Sequence, residues 1–186
     1  GALDFNLGCS GYIYGLALAD GLLRAGNADA VLLLTGETYT KLLDPKDKGT
    51  RTIFGDAGSA TLLERTSSNT LHSFVFGTDG SGAEFLIVPG SGLRRTAGPR
   101  PLEMNGPEVF NFTVRVVPPL IDRILERARI EFQDVDFFVF HQANAFMIEH
   151  LRRRLRIPAD KFALSLEYVG NTVSCSIPIA IESALA

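Results

Sequence analysis

The chain has few of the residues that build disulfide frameworks and metal centres. Its 186 residues include two cysteines and three histidines. Two cysteines are too few for a disulfide scaffold in a chain of this length, and no paired cysteine spacing indicates a structural zinc site. We therefore expect free thiols, no metal and a reducing compartment, the cytoplasm.

The chain also lacks a large excess of charge and any long apolar run. Its formal net charge is −3, whereas a general nucleic-acid binder carries a basic footprint. No apolar run approaches the ~20 residues that span a bilayer, and the first residues have neither the basic nor the apolar region of a signal peptide. With 46% hydrophobic and 21% charged residues, the composition predicts a soluble globular protein that binds neither nucleic acid nor membrane.

Helical and strand-like segments alternate along the sequence. The patterns predict helices over residues 9–25, 109–129, 143–156 and 174–186, and strands over residues 29–35, 60–63, 71–77, 135–140 and 163–166. The first helix has so little charge that we expect it to be buried nearly all round. The continuous apolar run at 29–35 is typical of a parallel strand covered on both faces. The alternation predicts an α/β fold with largely parallel sheets.

Two segments interrupt this pattern. Residues 66–69 (Thr-Ser-Ser-Asn) are the best candidate for a boundary, which would divide the chain into units spanning residues 1–68 and 69–186. Residues 79–107 are so rich in glycine and proline that we expect a long irregular excursion, functional or mobile. Because the chain lacks an initiator methionine and opens almost directly on a motif, we interpret it as a piece of a longer protein.

Cys9 lies where the first predicted helix begins, between Gly8 and the pair Ser10-Gly11. A lone cysteine is most often a small buried hydrophobe. A helix N-terminus, however, offers free amides and roughly half a positive charge, which would stabilise a thiolate. The flanking glycines let a substrate approach closely. We therefore interpret Cys9 as a candidate nucleophile and Cys175 as core packing.

His141 and Asn171 are the other two candidate catalytic residues. His141 ends the apolar run 135–140, and ligands in open α/β sheets gather at the carboxyl ends of strands. A structural histidine under a loop is the alternative. Asn171 lies between Gly170 and Thr172 before a helix, a pattern that is also ordinary turn and helix-cap chemistry. Together, one thiol, one imidazole and one amide suit thioester chemistry.

Six short motifs together resemble the β-ketoacyl-acyl carrier protein synthase III family of the thiolase superfamily. They are residues 9–11, 44–50, 54–58, 106–110, 141–144 and 170–172. Their order and separations suit the family, and the resemblance covers essentially the whole chain. The pair His-Gln-Ala-Asn and Gly-Asn-Thr is highly specific, whereas the cysteine motif is shared across the superfamily.

The resemblance implies an α/β, thiolase-like αβαβα layered fold built from two similar halves, usually as a homodimer. The chain would hold the end of the first half (residues 1–68, with the nucleophile) and most of the second (residues 69–186, with the His and Asn motifs). It would lack the opening part of the first half and the glycine-rich C-terminal segment. In the family that last segment helps to form the oxyanion hole, so the chain alone would be incomplete as a catalyst.

The resemblance also implies an acyltransferase mechanism that requires no metal or cofactor. Cys9 would attack an acyl-coenzyme A thioester and carry the acyl group. Malonyl-acyl carrier protein would then enter, and His141 and Asn171 would hydrogen-bond its thioester carbonyl while carbon dioxide leaves. The resulting carbanion would attack the acyl-cysteine to give a β-ketoacyl product.

Further residues take binding roles from the resemblance. It implies that Phe110 and Asn144 line the pantetheine tunnel, and that Lys48 lies near the coenzyme A nucleotide where an arginine is common. It implies that Arg153 and Arg154 dock the carrier, although a solvated helix face explains such a basic patch equally well.

One residue departs from the family pattern, and two alternative functions stay open. Phe146 occupies a position where the family commonly has a basic carrier-docking residue, which leaves the carrier unidentified. An acyltransferase of specialised metabolism would keep Cys9 without condensation, but it would not need both His141 and Asn171. A non-catalytic interaction protein or an incomplete fragment is the second alternative, favoured by the missing segments.

Overall fold

The computed structural model describes residues 1–67, 71, 73–92 and 100–186. The elements in chain order are α1 (Gly11–Arg24), β1 (Ala30–Glu37), α2 (Lys48–Arg51), β2 (Ala57–Glu64), β3 (Leu86–Ile87), β4 (Glu103–Met104), α3 (Gly106–Ala128), α4 (Ala145–Arg154) and α5 (Ser176–Leu185). Short 3₁₀ turns precede α1, at Gly8–Ser10, and α5, at Val173–Cys175. The four predicted helices are confirmed. The predicted boundary between residues 68 and 69 lies outside the described residues, so the two-unit division stays a prediction.

The β1 and β2 strands form an antiparallel pair along their whole length, from Ala30 opposite Glu64 to Glu37 opposite Ala57. One face of this pair packs under α1, where Gly15 lies so close to the Leu33 side chain that an added Cβ would come within 2.6 Å of it. The other face is open, because its leucines are about 60% exposed: Leu32, Leu34 and Leu62. Both strands are confirmed, but the expectation that 29–35 is a parallel strand covered on both faces is wrong.

Parallel pairing is confined to two isolated bridges in the described part of the chain. Phe54 pairs with Asn171, and Phe138 pairs with Phe162. The predicted strand at 135–140 therefore shrinks to the single bridged residue Phe138. The predicted strand at 163–166 is absent, because the bridge lies at Phe162, and residues 71 and 73–77 form no strand. The expectation of largely parallel sheets is wrong here, because β1–β2 and β3–β4 are both antiparallel.

The helices differ in how much of their surface is covered. α1 buries one face through Tyr12, Ala19 and Leu23, whereas Leu18 and Leu22 are more than 40% exposed. The expectation that α1 is buried all round is therefore wrong, because no described element covers its outer face. α3 is the longest helix described. Asn105 precedes it as the N-cap, because its side chain accepts a hydrogen bond from the Glu108 N–H.

Two clusters of buried side chains position the candidate site. The first joins α4 to the bridged segments through Phe138, Ile148, Ile157 and Phe162. The second consists of Phe54, Leu102 and Val173, and Cys9 packs against it. Among the described residues, no helix is long and apolar enough to cross a membrane, and no three His, Cys, Asp or Glu side chains are grouped to hold a metal ion.

Candidate active site

A single cavity of about 1130 Å³ contains the three candidate catalytic residues. Cys9, His141 and Asn171 all line it, although they are far apart in the chain. Phe110 and Asn144 line the same cavity. Its walls are mainly apolar, supplied largely by α3, α4 and the segment from Asp79 to Leu86. The structure therefore brings five of the predicted site residues to one concave, apolar surface, which is the usual form of a small-molecule site.

Cys9 occupies the 3₁₀ turn that leads into α1. Its backbone hydrogen bond lowers the thiol pKa, but burial and then the Glu37 carboxylate raise it, to about 12. The thiol is therefore protonated at neutral pH. This differs from the thiolate expected at a helix N-terminus, because loss of water around a charged sulfur outweighs the favourable amides.

His141 follows the bridged segment that contains Phe138, at the entrance to α4. Its Nδ1 lies 2.6 Å from the Ser176 Oγ. Burial lowers the pKa of the imidazole to about 4, and contact with the Val173 backbone offsets this only in part. The ring is therefore neutral at pH 7. A neutral imidazole and a neutral thiol in the same cavity favour hydrogen-bond donation over a resting ion pair.

Asn171 is held from both sides of its backbone. Its N–H donates to the Ile53 carbonyl and its carbonyl accepts from the Gly55 N–H, both at 2.9 Å. Its side-chain Oδ1 accepts the Val173 N–H at 2.9 Å, so the turn chemistry seen in the sequence is present. Because the amide oxygen is occupied, the NH₂ group is the part available to a ligand in the cavity. The turn role of Asn171 is therefore observed, and its catalytic role stays a prediction.

Glu37, at the carboxyl end of β1, is a site residue that the sequence interpretation missed. Its Oε1 accepts hydrogen bonds from the N–H and the hydroxyl of Ser174, and its charge opposes ionisation of Cys9. Burial, Cys9 and Glu37 also raise the pKa of Tyr39 to about 12. The rule that drew attention to His141, polar residues at carboxyl ends of strands, applies equally to Glu37.

The predicted binding residues divide into two groups. Phe110 forms an aromatic cluster with Phe146 and His150, with ring centroids 5.5 and 5.1 Å away. Asn144 caps α4 by accepting the Met147 N–H at 2.8 Å. The other three residues lie outside the cavity lining: Lys48, Arg153 and Arg154.

The outer group is on exposed helix surface. Lys48 is the first residue of α2, and Arg153 and Arg154 end α4. The Arg153 Nε donates to a Glu149 carboxylate oxygen at 2.7 Å, and Arg152 donates to the same carboxylate. Part of the basic patch is therefore neutralised within its own helix, and the carrier-docking role stays a prediction.

Cys175 is core packing, as predicted. It is fully buried, its Sγ donates to the Ala57 carbonyl at 3.2 Å, and the Thr35 hydroxyl donates to that Sγ at 3.1 Å. These contacts fasten the turn at 173–175 to β1 and β2. Both cysteines are free thiols, so Cys175 is an internal reference for the reactivity of Cys9.

Replacing Glu37 by glutamine is expected to lower the pKa of Cys9. The amide keeps an oxygen that accepts from Ser174 but removes the negative charge that opposes the thiolate. At any pH below the thiol pKa a larger fraction of Cys9 is then ionised. Alkylation by iodoacetamide is expected to be about threefold to tenfold faster at neutral pH, since one pKa unit is a factor of ten. The measurement is the alkylation rate at Cys9 against pH.

The matched control is Glu64→Gln, which removes an exposed carboxylate at the far end of β2. It should leave the rate unchanged. An unchanged or slower rate in Glu37→Gln, with Cys175 still protected, would show that the carboxylate does not oppose ionisation of Cys9.

Comparison with known proteins agrees with the geometry of this cavity. Residues 3–80 match the family model of 3-oxoacyl-[acyl-carrier-protein (ACP)] synthase III, and residues 125–186 match the model of its C-terminal part. The chain belongs to this family. It is 37% identical to β-ketoacyl-[acyl-carrier-protein] synthase III of Caldanaerobacter subterraneus subsp. tengcongensis, over 98% of this chain and 58% of that protein.

Solved structures show the same relationship. A 3-oxoacyl-(acyl-carrier-protein) synthase III crystal structure is 45% identical with a TM-score of 0.94, covering 98% of this chain and 60% of its own. The priming β-ketosynthase of the R1128 polyketide pathway is 29% identical with a TM-score of 0.90, covering 98% of this chain and 56% of its own. The fold is thus the thiolase-like α/β fold implied by the sequence motifs. The synthase III chain spans 56–60% of the length of these relatives.

Proposed function

We propose that this synthase III chain belongs to an enzyme that condenses an acyl-coenzyme A primer with malonyl-acyl carrier protein. The observation that carries the proposal is the shared cavity, in which a cysteine, a neutral imidazole and an asparagine amide line mainly apolar walls. The relatives are named as β-ketoacyl-[acyl-carrier-protein] synthase III, and a β-ketoacyl carrier is the product of the reaction proposed here. Apolar walls suit an acyl chain and its pantetheine arm.

In the first half-reaction, the Cys9 sulfur attacks the thioester carbonyl of acyl-coenzyme A. The new bond is the acyl–Sγ bond, the bond to the coenzyme sulfur breaks, and the thiol proton leaves with coenzyme A. The Cys9 backbone N–H would donate to the tetrahedral oxyanion. Because the resting thiol is protonated, deprotonation belongs to the reaction itself rather than to the free enzyme.

In the second half-reaction, malonyl-acyl carrier protein loses carbon dioxide. The electron pair of the broken carbon–carbon bond stays with the carrier thioester and forms an enolate. His141 and Asn171 donate hydrogen bonds to the thioester oxygen as its charge develops. The enolate carbon attacks the acyl-cysteine, the bond to Sγ breaks, and Cys9 recovers a proton as the β-ketoacyl carrier forms. Two preorganised donors worth ~3 kcal/mol each would accelerate this step by roughly ten thousandfold.

The partners follow from this chemistry. Acyl-coenzyme A and malonyl-acyl carrier protein are the substrates, with Phe110 and Asn144 lining the pantetheine tunnel, Lys48 near the nucleotide, and Arg153 and Arg154 meeting the acidic carrier. The proposed assembly is a homodimer in the reducing cytoplasm, which suits two free thiols. No metal or cofactor takes part.

The experiment is intact mass spectrometry after incubation with a panel of acyl-coenzyme A thioesters. A mass gain of one acyl group that disappears in Cys9→Ala is expected, and the thioester that reacts identifies the primer. No adduct with any thioester would overturn the proposal for this chain. Cys175→Ala is the matched control and should keep the adduct, because Cys175 is buried and hydrogen-bonded.

A priming role in polyketide biosynthesis is the second candidate, favoured by the likeness to the R1128 priming β-ketosynthase. It uses the same two half-reactions and differs in primer and carrier. An acyltransferase that only passes the acyl group onward would release no carbon dioxide. Radiolabelled carbon dioxide from malonyl carrier therefore separates condensation from transfer.

A further inference from the structure

Ser176 lies directly behind His141 and belongs to none of the six motifs. It is the first residue of α5 and is only 2% exposed. Its Oγ is 2.6 Å from the His141 Nδ1 and accepts the Gln142 N–H at 3.3 Å. Both contacts connect α5 to the end of the bridged segment from which His141 projects.

Of the two groups that contact the Ser176 hydroxyl, only the Nδ1 of His141 can accept its hydrogen. The Gln142 N–H is a donor, so the serine oxygen accepts there. A buried hydroxyl hydrogen is nearly always paired, and Ser176 makes no other side-chain hydrogen bond with the described residues. The hydrogen therefore points to Nδ1, which must carry a lone pair.

We propose that Ser176 is a positioning residue that donates its hydroxyl hydrogen to the Nδ1 of His141 and so keeps the imidazole proton on Nε2. A neutral imidazole has one N–H and one lone pair. When Nδ1 accepts from Ser176, the N–H must be on the opposite side of the ring. The buried ring, neutral at pH 7, then has a fixed tautomer rather than a mixture.

The surrounding hydrogen bonds keep this arrangement in place. Gln142 is 1% exposed, and its side-chain Nε2 donates to the Phe140 carbonyl at 2.8 Å, while its Oε1 accepts the Ser165 N–H at 3.0 Å. The backbone on both sides of His141 is therefore anchored, and Ser176 acts on a ring whose attachment point does not shift.

The tautomer matters for the reaction proposed above, on which this consequence rests. A thioester oxygen that gains negative charge needs a donor, and Nε2–H supplies one. The other tautomer would present a lone pair to that oxygen and repel it. Ser176 would thus affect the substrate only through the His141 imidazole, which contacts the thioester oxygen.

The test reads the tautomer directly and needs no catalysis. In protein labelled with ¹⁵N-histidine at pH 7, a protonated ring nitrogen resonates far upfield of a bare one. The chain has three histidines, and the signals of His141 are those that vanish in His141→Gln. The expected result is a bare Nδ1 and a protonated Nε2. A protonated Nδ1 in the unchanged protein would overturn the proposal.

Two variants test the hydroxyl itself. Ser176→Ala should move the two His141 nitrogen signals toward each other, as the tautomers mix, while the remaining amide spectrum stays folded. Ser176→Thr keeps the hydroxyl and should keep the original pattern. Unchanged signals in folded Ser176→Ala would show that another group sets the tautomer. If neither variant folds, the ¹⁵N signals of His141 in the unchanged protein still test the proposal.

The kinetic measurement separates this proposal from the proposed function. Ser176→Ala should slow carbon dioxide release by about tenfold, less than loss of the whole donor would, and leave acylation of Cys9 unchanged. A protein that never releases carbon dioxide but shows the expected tautomer would retain the role of Ser176 and reject the condensation reaction.

Discussion

Replacing either His141 or Asn171 by alanine is expected to slow decarboxylative condensation by about a hundredfold to a thousandfold. Each change removes one donor from a buried site where the developing oxyanion has little access to water, and such donors are worth roughly 3–4 kcal/mol. Acylation of Cys9 should persist, because the first half-reaction uses neither side chain as a carbonyl donor. The measurements are carbon dioxide release from malonyl carrier and the acyl-enzyme mass, taken on the same preparations.

The pH dependence adds a second requirement to this prediction. Burial holds the His141 pKa near 4, well below its ordinary 6.5, so the ring is a neutral donor throughout the neutral range. Carbon dioxide release should therefore show no change attributable to this histidine between about pH 6 and pH 8.

Asn27→Ala, in the exposed turn after α1, is the matched control for the alanine substitutions of His141 and Asn171. Equal loss of acylation and condensation in His141→Ala would reject a role confined to the second half-reaction.

The identity of the site residues could be predicted from the sequence because each lies in a local pattern. Cys9 precedes a helix between small residues, His141 ends an apolar run, and Asn171 lies in a turn; all three positions hold in the structure. Helices α1, α3, α4 and α5 were equally accessible, since the 3.6-residue period is a property of neighbouring residues. The roles of these residues remain a proposal.

Properties set by distant residues were not accessible in this way. An apolar run has the same appearance in parallel and antiparallel pairs, so the partner of β1 could not be inferred from residues 29–35. The thiol pKa of Cys9 depends on burial against the cluster of Phe54, Leu102 and Val173 and on Glu37. Ser176 carries no local signal at all, because its importance comes from a histidine 35 residues earlier.

Residues 54–58 pack closely against the backbone of residues 169–171. At Gly55 an added Cβ would lie 2.1 Å from the Val169 carbonyl oxygen, which is backbone and has no side-chain freedom to yield. The Gly55 N–H donates to the Asn171 carbonyl, and the Asn171 N–H donates to the Ile53 carbonyl. Only a residue without a side chain permits these two strands of chain to approach so closely.

Gly55→Ala is therefore expected to lower the free energy of unfolding by about 3 kcal/mol, the upper end of the cost of overpacking, with a fall in Tm of about 10 °C. The clash can be relieved by separating residues 169–171 from Phe54, which breaks the two hydrogen bonds that hold the Asn171 backbone. Asn171 should then lose its position in the cavity, so carbon dioxide release should fall more than acylation of Cys9. Thermal unfolding and the two activity assays measure both effects.

Gly36→Ala provides the matched control for this change. Gly36 lies in β1, and an added Cβ there would meet no heavy atom within 4 Å. Its effect on the free energy of unfolding should be within about 0.5 kcal/mol, as for surface substitutions generally. If Gly55→Ala melts as Gly36→Ala does, the close approach of Gly55 to Val169 is not what positions Asn171. If it unfolds early yet retains the normal ratio of condensation to acylation, the bridge stabilises the fold without orienting the amide.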